Sequence, residues 1–251
     1  MSSLRDRLAE FQFRFRDQIV GKWKLRSGLP RIAPDSPSAR REQAFYELIL
    51  KRAFPDPAES RFTTVWDVGC RNWSYAPALE RFFEKNALLI GVEVDGSRRY
   101  LNLYRRRDFA EAHADRLRSK GRTAQFIAKD FRQVQVRAQT EIKTQADLSP
   151  KLLFCFFYPF VSEHPCLKWG LPSGFSNFSE LLVRASEITN ESQAHGKILS
   201  LHQGEWELDL ALAAFQKVGL TVQTKKIASE EWRGLWPSPH DAFILQAVLN
   251  P

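Results

Sequence analysis

Cysteine and long apolar runs are both scarce in this chain, and each shortage closes off a class of protein. Three cysteines, Cys70, Cys155 and Cys166, stand among 251 residues. That number is too small and too odd for a disulfide framework. No two of them are spaced Cys-x-x-Cys, which argues against a structural zinc site. The cytoplasm is the natural compartment for such a chain. Its longest apolar stretch, Leu152–Val161, is strand-sized and well short of the ~20 residues of a spanning helix. The opening MSSLRDRLAEFQFRFRDQ carries charge throughout and lacks the apolar segment of a secretory signal. Five histidines are scattered without metal-ligand spacing. A Gly-x-Gly-x-x-Gly turn, which lets backbone approach a pyrophosphate, is also missing, and this argues against a nicotinamide dehydrogenase.

What is present suffices for a substantial core: 43% of residues are apolar and 12% aromatic, far from a disordered composition. Lys and Arg number 37 against 29 Asp and Glu, a balance of +8 that permits an anionic partner. Half of that excess lies in residues 1–26, which hold seven Lys/Arg and three Asp/Glu. Within them Leu4, Leu8, Phe11, Phe15 and Ile19 recur at helical spacing. A basic amphipathic helix of this kind can lie on an anionic partner or membrane surface. More commonly the apolar face of such a helix packs on its own domain, and that is the expectation for this one. Residues 27–39 are rich in Pro and Ser and read as a linker. The chain thus divides into residues 1–38, a basic helix with its linker, and a domain at 39–251.

The domain opens with a helix over about 39–53, which Ser36 or Ser38 can cap. Strands are expected at 62–68, 87–94, 123–128, 151–157, 197–202, 220–227 and 242–249. Helices are expected at 77–84, 97–120, 178–189 and 207–218, and 161–177 reads as a substrate-facing loop over the pocket. Alternating strand and helix indicate a doubly wound, mostly parallel seven-stranded sheet in a three-layer α-β-α sandwich. Between the last two strands, residues 228–241 are too short for a crossover helix, so these strands form an antiparallel hairpin at the edge of the sheet or inserted into it.

Ligands of such sheets bind outside the carboxyl ends of the strands. The first strand delivers Asp67-Val68-Gly69-Cys70-Arg71-Asn72-Trp73. Gly69 permits a tight turn, and Arg71 suits a carboxylate. The second strand ends Gly91-Val92-Glu93-Val94-Asp95, where an acid can accept from a ribose diol; Glu93 is the first choice and Asp95 the reserve. The third ends Lys129-Asp130-Phe131, an acid and a ring suited to an adenine.

On these residues and the terminal hairpin, the chain from 39 to 251 resembles the class I S-adenosylmethionine-dependent methyltransferases. The resemblance implies S-adenosylmethionine as cofactor. It implies Asp67 and Gly69 beside the methionine moiety, Glu93 on the ribose and Asp130 with Phe131 near the adenine. Of the family's acid-x-Gly-x-Gly-x-Gly loop only Gly69 is kept, with Arg71 and Trp73 at the other glycine positions. Either Arg71 and Asn72 serve as polar ligands in a variant loop, or the pocket is altered and the chain is a non-catalytic binding module. Tyr158-Pro159-Phe160 keeps the proline and aromatic of the amino-base methyltransferase motif but lacks its Asn/Asp. Tyr158 and His202 are the candidates for catalytic work on an acceptor that the sequence does not identify. Arg98, Arg99, Arg105, Arg106 and Arg107 could form a basic stripe, and Trp206, Trp232 and Trp236 cluster in sequence. No specific nucleic-acid motif accompanies them.

Overall fold

A computed structural model describes residues 3–33, 35–135, 150–235, 238 and 240–250. Seven strands form one sheet: β1 (Thr64–Val68), β2 (Leu88–Val92), β3 (Ala124–Ile127), β4 (Lys151–Phe157), β5 (His195–Gln203), β6 (Val222–Ile227) and β7 (Ala242–Leu249). Their spatial order is β3-β2-β1-β4-β5-β7-β6. The first five are parallel, while β7 runs antiparallel between β5 and β6. The hairpin is therefore inserted, with its last strand inside the sheet. β1 and β2 are buried at every position, as strands covered on both faces must be. β3 and β6 are the edges, and the exposed middle of β6 carries Lys225 and Lys226, charges that discourage further strand pairing.

Helices α1 (Leu4–Gln18), α2 (Pro37–Ala53), α3 (Ala76–Phe82), α4 (Arg106–Ser119), α5 (Glu163–Lys168), α6 (Phe178–Glu191) and α7 (Gly204–Lys217) complete the molecule. Ser36 begins α2: its hydroxyl accepts from the Ala39 amide, with Pro37 in the first turn. α2 buries Phe45, Tyr46, Ile49 and Leu50 on one side of the sheet together with Leu79 of α3. On the other side Phe178, Leu182 and Ile188 of α6 and Phe215 of α7 pack on Trp66, Phe154 and Phe156.

Three expectations are corrected. The helix expected at 97–120 begins only at Arg106. Leu103 has φ +68, a Tyr100 carbonyl accepts from its amide, and Asp108 Oδ2 accepts from the Arg105 backbone amide at 2.7 Å. The turn and this cap delay the helix. The segment 161–177 contains α5 and a 3-10 turn at Ser173–Ser176 rather than loop alone. Finally, the apolar stripe of α1 does not pack on its own domain. Leu4 and Phe11 are 84% and 66% exposed, and Leu8, Phe15 and Ile19 are exposed with them. The helix turns its opposite side inward: Ala9 is buried, Phe13 meets Phe175 with ring centroids 5.1 Å apart, and Asp6 Oδ1 accepts from the Ser173 amide at 2.8 Å.

Candidate cofactor and acceptor site

At the carboxyl ends of β1, β2, β4 and β5 lies a cavity of about 320 Å³, within the range of small-molecule sites. Its floor includes Val68, Gly69, Val92 and Phe156, and its far side Tyr158, Gln203 and Glu207. Pro165, Trp169, Leu171 and Phe175, from α5 and the turn after it, close over it. The 161–177 segment thus overhangs the pocket as the sequence suggested.

The loop after β1 keeps the backbone of a glycine-rich turn with little glycine. Gly69, Arg71 and Trp73 have φ of +81°, +57° and +57°. For Arg71 and Trp73 this left-handed conformation costs roughly 1–2 kcal/mol each. Contacts on both sides offset it. The Arg71 amide donates to Glu93 Oε2 at 2.8 Å, and its guanidinium stands over the Trp169 ring, 5.8 Å from the centroid. Trp73 is wholly buried and its Nε1 donates to Asp67 Oδ2 at 2.8 Å. Its indole fills the space above Gly91, where a Cβ would come within 2.9 Å of the ring. Trp73 therefore points into the sheet, away from the cavity. In front of Gly69 the space is open: a Cβ there would meet nothing within 4 Å.

The acids expected at the strand ends separate into different roles. Asp67 is fully buried and does not reach the cavity. It accepts from Trp73 and from the Tyr75 hydroxyl, at 2.9 Å for the latter. Burial raises its pKa to about 7, against those two donors and with a small push from Glu93. It braces the loop from below, so the structure does not set it beside a methionine moiety. Asn72 also lies off the cavity, its side-chain oxygen accepting from Ser74. Glu93 does line the cavity. Its carboxylate accepts from the Arg71 amide, from the Asp95 amide at 2.7 Å and from Arg106 Nη1 at 3.3 Å. With about four acceptor positions on a carboxylate, one is left on Oε2. Asp95 is shut away, paired with Arg98 at 2.6 Å and Arg16 at 3.2 Å.

Asp130 and Phe131 border the cavity, but both are committed elsewhere. Both Asp130 oxygens accept from Arg132, in a fork of 2.7–3.0 Å, which fills the acceptor positions an adenine amino group would use. Phe131 is buried against Trp66, Phe154 and Phe156.

Tyr158 lines the cavity and stacks on Phe45 at 6.4 Å. Burial pushes its phenol pKa up, so it stays protonated at neutral pH. His202 does not line the cavity. It is buried beneath it, 3.0 Å from Ser200 Oγ and edge-on to Phe178. Burial pushes its pKa down to about 3. A histidine sealed in the core cannot meet an acceptor, and its candidacy as general base falls.

Sequence reasoning missed Gln203 and Glu207. The Gln203 amide donates to Glu207 Oε2 at 2.8 Å, and burial raises the Glu207 pKa. The Gln203 side-chain Nε2 is buried with no hydrogen-bond partner among the described residues, on a residue that lines the cavity. The readable signal was a Gln and a Glu four apart at the start of the helix after β5. The suggested arginine stripe is also absent. Arg98 pairs with Asp95, Arg99 bonds carbonyls at 20 and 103, Arg105 grips Asp108, Arg106 meets Glu93 and Arg107 bonds Gly21. Trp232 is buried while Trp206 is exposed; Trp236 lies outside the described residues.

No protein-family model matches the sequence, and no curated protein matches it. Solved structures do share its shape. Magnesium protoporphyrin IX methyltransferase from Synechocystis PCC 6803, with bound S-adenosylmethionine, superposes with a TM-score of 0.51 at 11% identity, over 100% of both chains. A SAM-dependent methyltransferase from Aquifex aeolicus aligns at 14% identity and TM-score 0.49, over 87% of this chain and 100% of its own. With its sheet order and inserted antiparallel β7, the chain has the fold of the class I S-adenosylmethionine-dependent methyltransferases.

Proposed function

We propose that the chain is an S-adenosylmethionine-dependent methyltransferase whose cofactor rests on Gly69, Arg71 and Glu93. The observation that carries this reading is the open space in front of Gly69, next to a Glu93 carboxylate with an acceptor position to spare. The chemistry of these groups fits the cofactor. The Arg71 guanidinium suits its carboxylate, Glu93 accepts from one ribose hydroxyl, and Val92 and Phe156 offer an apolar wall to the base. When bound, the cofactor supplies an electrophilic methyl group on a sulfonium sulfur.

The chain's own contribution is positioning and proton transfer. Gln203 Nε2 can donate to the acceptor. Glu207, with its raised pKa, is suited to receive the proton that an amine or hydroxyl acceptor gives up. Tyr158, just past the end of β4, orients the same group. Phe160, Pro165, Leu171 and Phe175 give this side an apolar lining that excludes water and favours an acceptor with an apolar body. Three free buried thiols support a reducing compartment, the cytoplasm.

Formation of S-adenosylhomocysteine in the presence of pooled small-molecule, protein and RNA acceptors tests this function. Glu207→Gln is expected to slow turnover by ~100-fold with cofactor affinity unchanged. Equal turnover removes Glu207 from its role. One feature favours a second reading, the non-catalytic binding module: Arg132 already occupies the Asp130 carboxylate. Cofactor binding without turnover in any acceptor pool selects that reading.

A further inference from the structure

We propose that α1 docks the protein on an anionic lipid bilayer surface. The helix sorts its residues by chemistry. At about 100° per residue, Leu4, Leu8, Phe11 and Phe15 fall within about 60° of arc. Arg7 and Arg14 stand on one flank and Arg5 on the other, while Asp6, Ala9, Phe13 and Asp17 lie opposite. Contacts follow this division. Asp6 accepts from the Ser173 amide and Asp17 from the Ser97 hydroxyl, at 2.9 Å for the latter. Phe13 meets Phe175.

Two of the three acids in residues 1–26 are thus turned to the protein body. Among the bases Arg16 is bound inward as well, bonding the Gly170 carbonyl and pairing with Asp95. Arg5, Arg7, Arg14, Lys22, Lys24 and Arg26 are exposed, as is Glu10, which pairs with Arg14 at the surface. The apolar stripe extends past the helix through Ile19, Trp23 and Leu25, all exposed, and Lys22, Lys24 and Arg26 alternate with them.

An apolar ridge bordered by bases, with two of its three acids bonded to the protein body, matches the boundary between acyl chains and anionic headgroups. Trp23 suits the same depth. A protein partner of plain apolar character would not require the acids to turn away. The segment is also rigidly held: Arg105 and Arg107 both donate to the Gly21 carbonyl at 2.7 Å, and a Cβ on Gly21 would come within 2.4 Å of Ser97 Oγ. The ridge is therefore presented by a fixed helix.

Flotation of the full chain with vesicles tests the proposal. Binding is expected to phosphatidylcholine vesicles containing phosphatidylserine, and not to phosphatidylcholine alone. Raising salt from about 0.1 to 1 M should weaken it severalfold, because the Debye length shortens from about 10 to 3 Å. The double variant Leu8→Ser/Phe11→Ser should lose at least ~tenfold in vesicle affinity with an unchanged melting temperature. Arg5→Gln/Arg14→Gln should lose the salt-sensitive part, and serves if the first variant does not fold. Absence of flotation overturns the proposal, as does equal binding to both vesicle types. So does a lipid-free dimer that the Leu8→Ser/Phe11→Ser change dissolves, which would assign the ridge to a second copy of the chain.

Discussion

Helices α1 and α2 carry the same kind of sequence signal and meet opposite fates. In both, large apolar residues recur at three- and four-residue spacing. In α2 the stripe is the core: Phe45, Ile49 and Leu50 are fully buried against the sheet. In α1 the stripe faces out and the helix is held by Asp6, Phe13 and Arg16 on its other side. Helical periodicity reports that one face is apolar, not which face meets the protein. The partners of the inward face decide that, and here they are a carboxylate, a ring and a guanidinium matched to the segment above the cavity.

The largest test of this contrast is truncation on each stripe. Phe45→Ala should cost about 3–5 kcal/mol of unfolding free energy, whereas Phe11→Ala should stay within about 0.5 kcal/mol; denaturant melts measure both. Equal costs would mean that the α1 stripe is buried.

Histidines show the same inward and outward division. His202 and His113 are buried, with pKa values lowered to about 3 and about 4 by burial, whereas His164, His195 and His240 are exposed. Below their unfolded pKa near ~6.5 the unfolded chain takes up protons that the folded buried rings refuse. Their stabilisation is therefore present above that pH and is lost as pH falls toward the folded values, by up to about 1.4 kcal/mol per unit for each ring. Asp67, raised to about 7, acts with the opposite sign: its contribution declines as pH rises from about 4 through about 7. Melts of His202→Leu against pH should show a shallower acid limb than the parent; an unchanged slope contradicts the sealed ring.

A smaller effect is expected at Gly91, where Trp73 occupies the volume of a side chain: Gly91→Ala should cost about 1–3 kcal/mol by overpacking. Smallest is Arg71→Gly, which relieves a left-handed backbone worth about 1–2 kcal/mol but gives up the contact over Trp169. The melting temperature should move little, while cofactor affinity falls.

The fold was legible because its signals are local. Apolar runs marked β1, β2 and β4, Ser36 capped α2, and the short 228–241 stretch implied the hairpin. The site was half legible. Gly69, Arg71, Glu93 and Tyr158 do border one cavity, since strand order alone brings strand ends together. Asp67 and Trp73 were not readable as a buried pair, because nothing in the spacing says that the indole packs over Gly91 of β2. Arg106 looked like part of a surface stripe, yet its partner Glu93 lies thirteen residues earlier across a turn. Gln203 and Glu207 acquire meaning only once β5 is set beside β4.

Calorimetric titration with S-adenosylmethionine tests the central claim most directly. The account predicts saturable binding at one site, weakened in a folded Gly69→Ala variant whose methyl group intrudes on the open space before the loop. An absence of heat at high micromolar cofactor, with the protein folded, would contradict it.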